Sequence, residues 1–125
     1  MIRAVIICHG NLATELLATA RCVLGELKDV FSFSNENLSI ESLYTHIAES
    51  VPLNEAAEYL FMVDVRGGNC WRVAKMLNRQ YSKSRVLSGV NLPMLISYLT
   101  KRNQVGLNEL AEVVENDARK GIILE

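Results

Sequence analysis

The sequence predicts an α/β domain, a three-layer α/β/α sandwich built on a mostly parallel four-stranded sheet. Short apolar runs rich in β-branched residues alternate with longer segments whose apolar residues recur every three or four positions. The two strongest strand-like runs, Ala4-Val5-Ile6-Ile7-Cys8 and Leu60-Phe61-Met62-Val63, are apolar without alternation, as strands covered on both faces must be. Each is followed by a glycine-bearing turn and a helical pattern, which opens a βαβ unit with a right-handed crossover.

The first strand covers Ile2 to Cys8 and ends at His9-Gly10. Asn11 is placed to cap a helix through Leu12, Leu16, Ala20, Val23, Leu24 and Leu27, with Thr14, Glu15, Arg21 and Glu26 between them. Val30 to Ser34 reads as a shorter second strand, and Ser39 with Ser42 opens an amphipathic helix through Leu43, Ile47 and Val51 that stops near Pro52. The segment Ser32 to Ser39 is the loosest in the chain. Glu58 to Asp64 is the third strand, and Gly67-Gly68-Asn69 turns into a helix through Val73, Ala74 and Leu77. Arg85 to Ser88 forms the fourth strand, and Gly89-Val90-Asn91 leads to a helix through Met94, Leu95, Tyr98 and Leu99 with Pro93 in its first turn. The last helix covers Leu107 to about Arg119, carries Leu110, Val113, Val114 and Ala118 on one face, and ends at Gly121. The tail Ile122-Ile123-Leu124 is short, apolar and β-like, and an added edge strand is its expected use.

The chain has 125 residues, half of them apolar and 22% charged, with a formal net charge of −1. That is room for one domain, residues 1–125, with a core that needs no disulfide or metal as a staple. Three cysteines, Cys8, Cys22 and Cys70, are odd in number, unclustered and unaccompanied by a signal peptide, so reduced thiols in a cytoplasm are expected. Lys and Arg are scattered without a basic stripe, so nucleic acid is not an expected partner. No apolar run approaches the roughly 20 residues of a transmembrane helix, and a membrane connection is expected only through a partner.

Ligands of an open parallel sheet gather beyond the carboxyl ends of the strands, where turns deliver helix N-termini and free backbone N–H groups. Three turns fit: His9-Gly10-Asn11, Asp64 to Asn69, and Ser88 to Asn91. If strands one, three and four are neighbours, one imidazole, one carboxylate and three helix starts converge. A neutral imidazole is a competent nucleophile toward phosphorus, provided that it holds the right tautomer. A carboxylate such as Asp64, accepting from one ring N–H, leaves the other nitrogen's lone pair pointing outward. A helix N-terminus stabilises an arriving anion by about 0.3–1 kcal/mol when exposed and up to ~2 when partly buried. No second acid or base and no metal set stands beside the pair, which favours a transient phosphohistidine over hydrolysis. Gly67-Gly68 alone is a weak phosphate-loop signal. Cys8 adjoins His9 and Cys70 can share its cleft, so a zinc site or redox switch is conceivable; the favoured reading is inert thiols, since Cys8 is expected to turn into the core when His9 faces the cleft and neither a second histidine nor a CxxC spacing completes a metal set. His46 reads as solvated helix surface, and Trp71 as a packing residue at a helix or dimer interface.

The opening strand with His9-Gly10-Asn11-Leu12-Ala13, the turn Val63-Asp64-x-x-Gly67-Gly68, and above all Ser88-Gly89-Val90-Asn91-Leu92-Pro93-Met94 resemble the IIA component of the mannose-type sugar phosphotransferase system, over essentially the whole chain. The resemblance implies a four-stranded parallel core, in the order 2-1-3-4, with helices on both sides. It also implies an antiparallel edge strand often exchanged across a homodimer, which suits the tail. In that family the histidine matching His9 takes a phosphoryl group from the phosphocarrier protein HPr and gives it to a IIB component, which phosphorylates sugar passing through a membrane permease. The aspartate matching Asp64 orients that histidine, and no cofactor is required. The expected phosphoryl-binding residues are Gly10, Arg66, Gly67, Gly68, Asn69, Ser88 and Gly89.

The family usually reads Asp-Leu-Phe-Gly-Gly, then Ser or Thr, then Pro, whereas this chain reads Asp64-Val65-Arg66-Gly67-Gly68-Asn69-Cys70. Arg66 replaces an apolar rim residue and either contacts phosphate or pairs with Asp64; Asn69 replaces a hydroxyl but still offers amide donors. Two alternatives follow. One is a regulatory paralogue whose phosphorylation signals to a non-transport partner. The other is the phosphocarrier subunit of a dihydroxyacetone kinase, ranked lower because of Gly89-Val90-Asn91-Leu92-Pro93.

Overall fold

The computed structural model describes residues 1–125. In chain order the elements are β1 (Arg3–Cys8), α1 (Leu12–Leu24), β2 (Val30–Ser34), α2 (Ile40–Ser50), β3 (Tyr59–Val63), α3 (Asn69–Gln80), β4 (Ser84–Ser88), α4 (Leu92–Lys101) and α5 (Leu107–Lys120). The four strands form one parallel sheet in the order β2-β1-β3-β4, as expected. The apolar runs of β1 and β3 take the two central places because only there are both faces of a strand covered.

Alternation along the strands feeds two cores. Ala4, Ile6, Cys8, Leu60 and Met62 pack with residues of α1, α4 and α5 on one face. Val5, Ile7, Phe61 and Val63 pack with residues of α2 and α3 on the other. The sandwich therefore has the expected three layers. Ile7 pairs with Val63 and Val63 with Ser88, so β1, β3 and β4 end level with one another. No helix is long and apolar enough to cross a membrane.

Several local expectations change. The first helix stops at Leu24 because Gly25 adopts φ 82°, a left-handed geometry that favours glycine, and Leu27 packs on the core from the following loop. Its buried face is Ala13, Leu17 and Ala20, while Leu12 and Val23 are exposed. Asn11 makes no side-chain cap; the Leu12 N–H instead reaches back to the His9 carbonyl at 3.4 Å. Ser39 caps α2 as expected, accepting from the Ser42 N–H at 3.1 Å. Part of the loose segment is ordered as β2, and the turn that follows carries Asn37 at φ 59°.

The tail is the largest departure. Ile122, Ile123 and Leu124 form no strand in this chain and are 81%, 71% and 100% exposed, which leaves β4 as a bare sheet edge. Helix α5 runs to Lys120, and Gly121 packs so closely on Pro93 that a Cβ there would lie 2.5 Å from its Cγ. The few residues beyond that point offer too little pairing and burial to hold a strand by themselves.

Candidate functional site

His9 follows β1 at the position where the alternation of Val5 and Ile7 continues toward the α2 and α3 layer. Its backbone N–H donates to Asp64 Oδ2 at 2.9 Å, and its ring Nδ1 lies 2.9 Å from the same oxygen. Asp64 Oδ1 accepts from the Val65 N–H at 2.9 Å. An ionised carboxylate only accepts, so Nδ1 is assigned the ring proton and Nε2 keeps its lone pair. The His9 side chain is 49% exposed and that of Asp64 only 11%. The carboxylate is thus fixed, while about half of the imidazole side chain is open to solvent. Burial pushes the Asp64 carboxyl up, but the hydrogen bonds from His9 and Val65, joined by the charge of His9 whenever its ring is doubly protonated, outweigh it and hold the group below the ordinary carboxylate value.

The start of α3 lies against this ring. A Cβ on Gly68 would stand 3.2 Å from His9 Cε1, so glycine is what lets the backbone approach the imidazole. Gly68 is the N-cap residue and has no side chain to offer the helix. The first N–H groups of α3, from Asn69, Cys70 and Trp71, therefore have neither an intrahelical partner nor a side-chain cap. They form a ready anion seat next to a nucleophile.

The turn after β4 is fastened to β3: the Gly89 N–H donates to the Asp64 carbonyl at 3.1 Å and the Val90 N–H to the Val63 carbonyl at 3.0 Å. Asn91 then closes the start of α4. Its Oδ1 accepts from the Met94 N–H at 2.8 Å, and its Nδ2 donates to the Ala118 carbonyl at 3.1 Å. The three helix starts are consequently unequal. The α4 start is capped, the α1 and α3 starts lack side-chain caps, and the α3 start is the one pressed on the imidazole.

Of the other expected site residues, Gly10 (φ 57°) and Gly67 (φ 88°) make the turns that follow His9 and precede α3. Asn69 is exposed on the first turn of α3 with no side-chain hydrogen bond. Arg66, Ser88 and Gly89 line a neighbouring cleft of about 500 Å³ together with Glu115 and Arg119 of α5, and His9 is not part of that cleft. Arg66 is exposed and makes no ion pair, so the pairing with Asp64 weighed from the sequence is not formed. Cys8 is buried in the opposite core, as expected. The sequence allowed Cys70 into the same cleft as His9 but did not give its contact with the ring. Its Sγ stands 3.9 Å from His9 Nδ1, with burial and the Asp64 charge pushing the thiol up to about 11. Only its position two residues past Gly68, at a helix start facing the histidine strand, hinted at this.

Comparison with known proteins gives relatives in both sequence and structure. The chain is 32% identical over 127 residues to the "PTS system mannose-specific EIIAB component" of Escherichia coli (strain K12), covering 97% of this chain but only 38% of the length of that relative. It is 27% identical over 114 residues to the "PTS system fructose-specific EIIA component" of Bacillus subtilis (strain 168), covering 88% of this chain and 77% of the relative. The crystal structure of phosphotransferase system component EIIA from Streptococcus agalactiae superposes with a TM-score of 0.91 at 26% identity, covering 99% of this chain and 97% of that one. Residues 3–115 match the family EIIA-man, the PTS system fructose IIA component, and the chain belongs to that family.

Proposed function

We propose that the protein is a phosphohistidine carrier of a sugar phosphotransferase system, taking a phosphoryl group from phosphorylated HPr onto His9 and passing it to a IIB component for sugar uptake. The observation that carries this reading is the bond between His9 Nδ1 and Asp64 Oδ2 at 2.9 Å, which leaves Nε2 free on the open side of the ring. In the forward step the Nε2 lone pair forms the N–P bond while the donor's bond to phosphorus breaks and the donor group leaves with its electron pair. His9 becomes a phosphoimidazolium whose Nδ1–H stays on Asp64, and the carboxylate balances the new positive charge. The uncapped N–H groups of α3 receive the phosphoryl oxygens, with Gly10, Gly67 and Gly68 allowing close backbone approach. Asn69 on the first turn of α3 is the side chain expected to add a hydrogen bond there, and Arg66, Ser88 and Gly89 are expected to contribute from the neighbouring cleft. Transfer to IIB runs the same step backward.

Incubation with phosphoenolpyruvate, enzyme I and HPr is expected to add one acid-labile phosphate per chain. His9→Ala abolishes it. Undiminished labelling of that variant, or no labelling of the natural chain, overturns the proposal. The carrier works in the cytoplasm and meets a permease only through IIB. It acts as a homodimer in which the exposed tail of one copy pairs with the bare β4 edge of the other. Removal of residues 122–125 is then expected to turn a dimer into a monomer in sedimentation, and an unchanged mass rules that arrangement out.

A further inference from the structure

One group near the phosphoryl position is unused by the carrier chemistry. Cys70 is fully buried at the first turn of α3, where it packs with the apolar residues of the α2 and α3 layer, and its Sγ also stands 3.9 Å from His9 Nδ1. We propose that His9, Asp64 and Cys70 form a binding site for a thiophilic divalent cation, with Zn²⁺ as its best-fitting member, and that the bound metal silences the phosphoryl-accepting nitrogen. The regulatory half of this statement rests on the phosphohistidine reading above; the metal site itself does not.

The geometry comes first. One ligand atom from each of the three residues lies within 4.8 Å of the others. Nδ1 and Oδ2 are 2.9 Å apart, and Sγ is 3.9 Å from Nδ1. Tetrahedral zinc with ordinary bond lengths separates nitrogen from oxygen by about 3.3 Å and nitrogen from sulfur by about 3.6 Å. The first two separations then change by a few tenths of an ångström, and the sulfur and the carboxylate oxygen, up to 4.8 Å apart, draw together by about an ångström to close the site around an ion, with water in the fourth position. The ligands come from the ends of β1 and β3 and the start of α3, elements locked by the central sheet.

The chemistry agrees. Imidazole, carboxylate and thiolate together suit a borderline-soft ion, and the two anionic ligands balance its charge. The negative charge of Asp64 attracts a cation to the site, and a bound cation stabilises the thiolate beside it. The positive helix start opposes the ion but favours the thiolate that holds it.

Proton accounting gives the regulatory consequence. Neutral His9 owns one ring proton, held on Nδ1 by Asp64 in the metal-free state. When the Nδ1 lone pair binds the metal, that proton resides on Nε2, which then has no lone pair with which to attack phosphorus. Cys70 loses its proton to solvent. Metal binding thus releases one proton per chain and converts the nucleophile into a donor.

The test is calorimetric titration of the full chain with Zn²⁺ in buffers of different ionisation enthalpy. One ion per chain and about one released proton are expected. Cys70→Ala, checked for folding by circular dichroism, weakens binding by more than the roughly 10–100-fold that loss of an outer-shell partner produces. Cys22→Ser, at an exposed site on α1, changes nothing. Co²⁺ in place of zinc gives a sulfur-to-cobalt charge-transfer band, and ¹⁵N spectra show His9 Nε2 passing from pyridine-like to pyrrole-like on metal addition. Zinc affinity unchanged in Cys70→Ala, no sulfur–cobalt band, or an Nε2 that stays pyridine-like in the bound protein overturns the proposal. Should Cys70→Ala fail to fold, the cobalt band and the Nε2 signal of the natural chain decide it alone. Labelling by phospho-HPr is compared for each protein with and without zinc, against its own metal-free rate. A chain that binds zinc at Cys70 but never labels removes the carrier reading and keeps the metal site.

Discussion

The starts of α3 and α4 are two versions of one sequence pattern, a strand, a glycine turn and a helix, set side by side at the carboxyl edge of the sheet. At α4 the cap residue is Asn91, whose side chain occupies the Met94 N–H and also holds the Ala118 carbonyl of α5. At α3 the cap residue is Gly68, which supplies nothing, and His9 lies against it. The difference teaches that a helix start serves either stability or anion binding. Its free N–H groups go either to a side chain or to a ligand, and the residue at the cap decides which.

The strongest way to break the comparison is to disturb the partner that makes the α3 start useful. Asp64→Asn keeps the size of the side chain but loses the charge that fixes the Nδ1–H tautomer, so labelling is expected to slow about 10–100-fold with cooperative unfolding retained. An unchanged rate removes the orienting role. A crossed pair of substitutions then tests the two starts against each other. Asn91→Ala is expected to lower stability by about 0.5–2 kcal/mol in denaturant titration while each folded molecule still labels. Gly68→Ser puts a hydroxyl on the free N–H groups of α3 and is expected to slow labelling about 2–5-fold, the worth of one helix-terminus interaction. Gly68→Ala serves as the control for crowding of the ring, and a loss of stability in Gly68→Ser with labelling intact would reverse the assignment.

Acid sharpens the same contrast. Asp64 sits below the ordinary carboxylate value in the folded chain, because bonds from His9 and Val65 outweigh the opposing effect of burial. A carboxyl lowered on folding adds stability that is fully present above the unfolded-state value of about 3.9 and is lost as pH falls through the lower folded value. Stability of the natural chain therefore declines below about pH 4, and Asp64→Asn is expected to flatten that decline measurably in acid titrations followed by circular dichroism. Asp117 is lowered in the same direction by its hydrogen bonds from Lys101 and Ser97, so some slope remains in the variant. The smallest effect belongs to Arg66. It is exposed and unpaired, and Arg66→Ala is expected to slow labelling by no more than about fivefold, with the difference fading at high salt.

Much of the architecture was legible in the residues. Uninterrupted apolar runs in β1 and β3 signalled central parallel strands, since any other placement would leave one of their faces in water. The positions of His9 and Asp64 followed from the rule that chemistry gathers where such strands end. Other features depended on details no periodicity records. The end of α1 was set by one left-handed glycine, Gly25, although the apolar pattern continued to Leu27. The tail looked like a strand because Ile122, Ile123 and Leu124 have strand chemistry, yet a strand exists only where a neighbour is available.

The sequence by itself determined the layers, the strand order through its family likeness, and the histidine and aspartate set at the sheet's edge, because these depend on patterns local in the chain. Only the tertiary structure decided which helix start stays open, that Arg66 stands apart from Asp64, and that the Cys70 sulfur comes to rest 3.9 Å from a histidine 61 positions earlier. Contacts of that kind are set by the level ends of β1 and β3 and the angle at which α3 leaves the sheet, and no local pattern of residues encodes either.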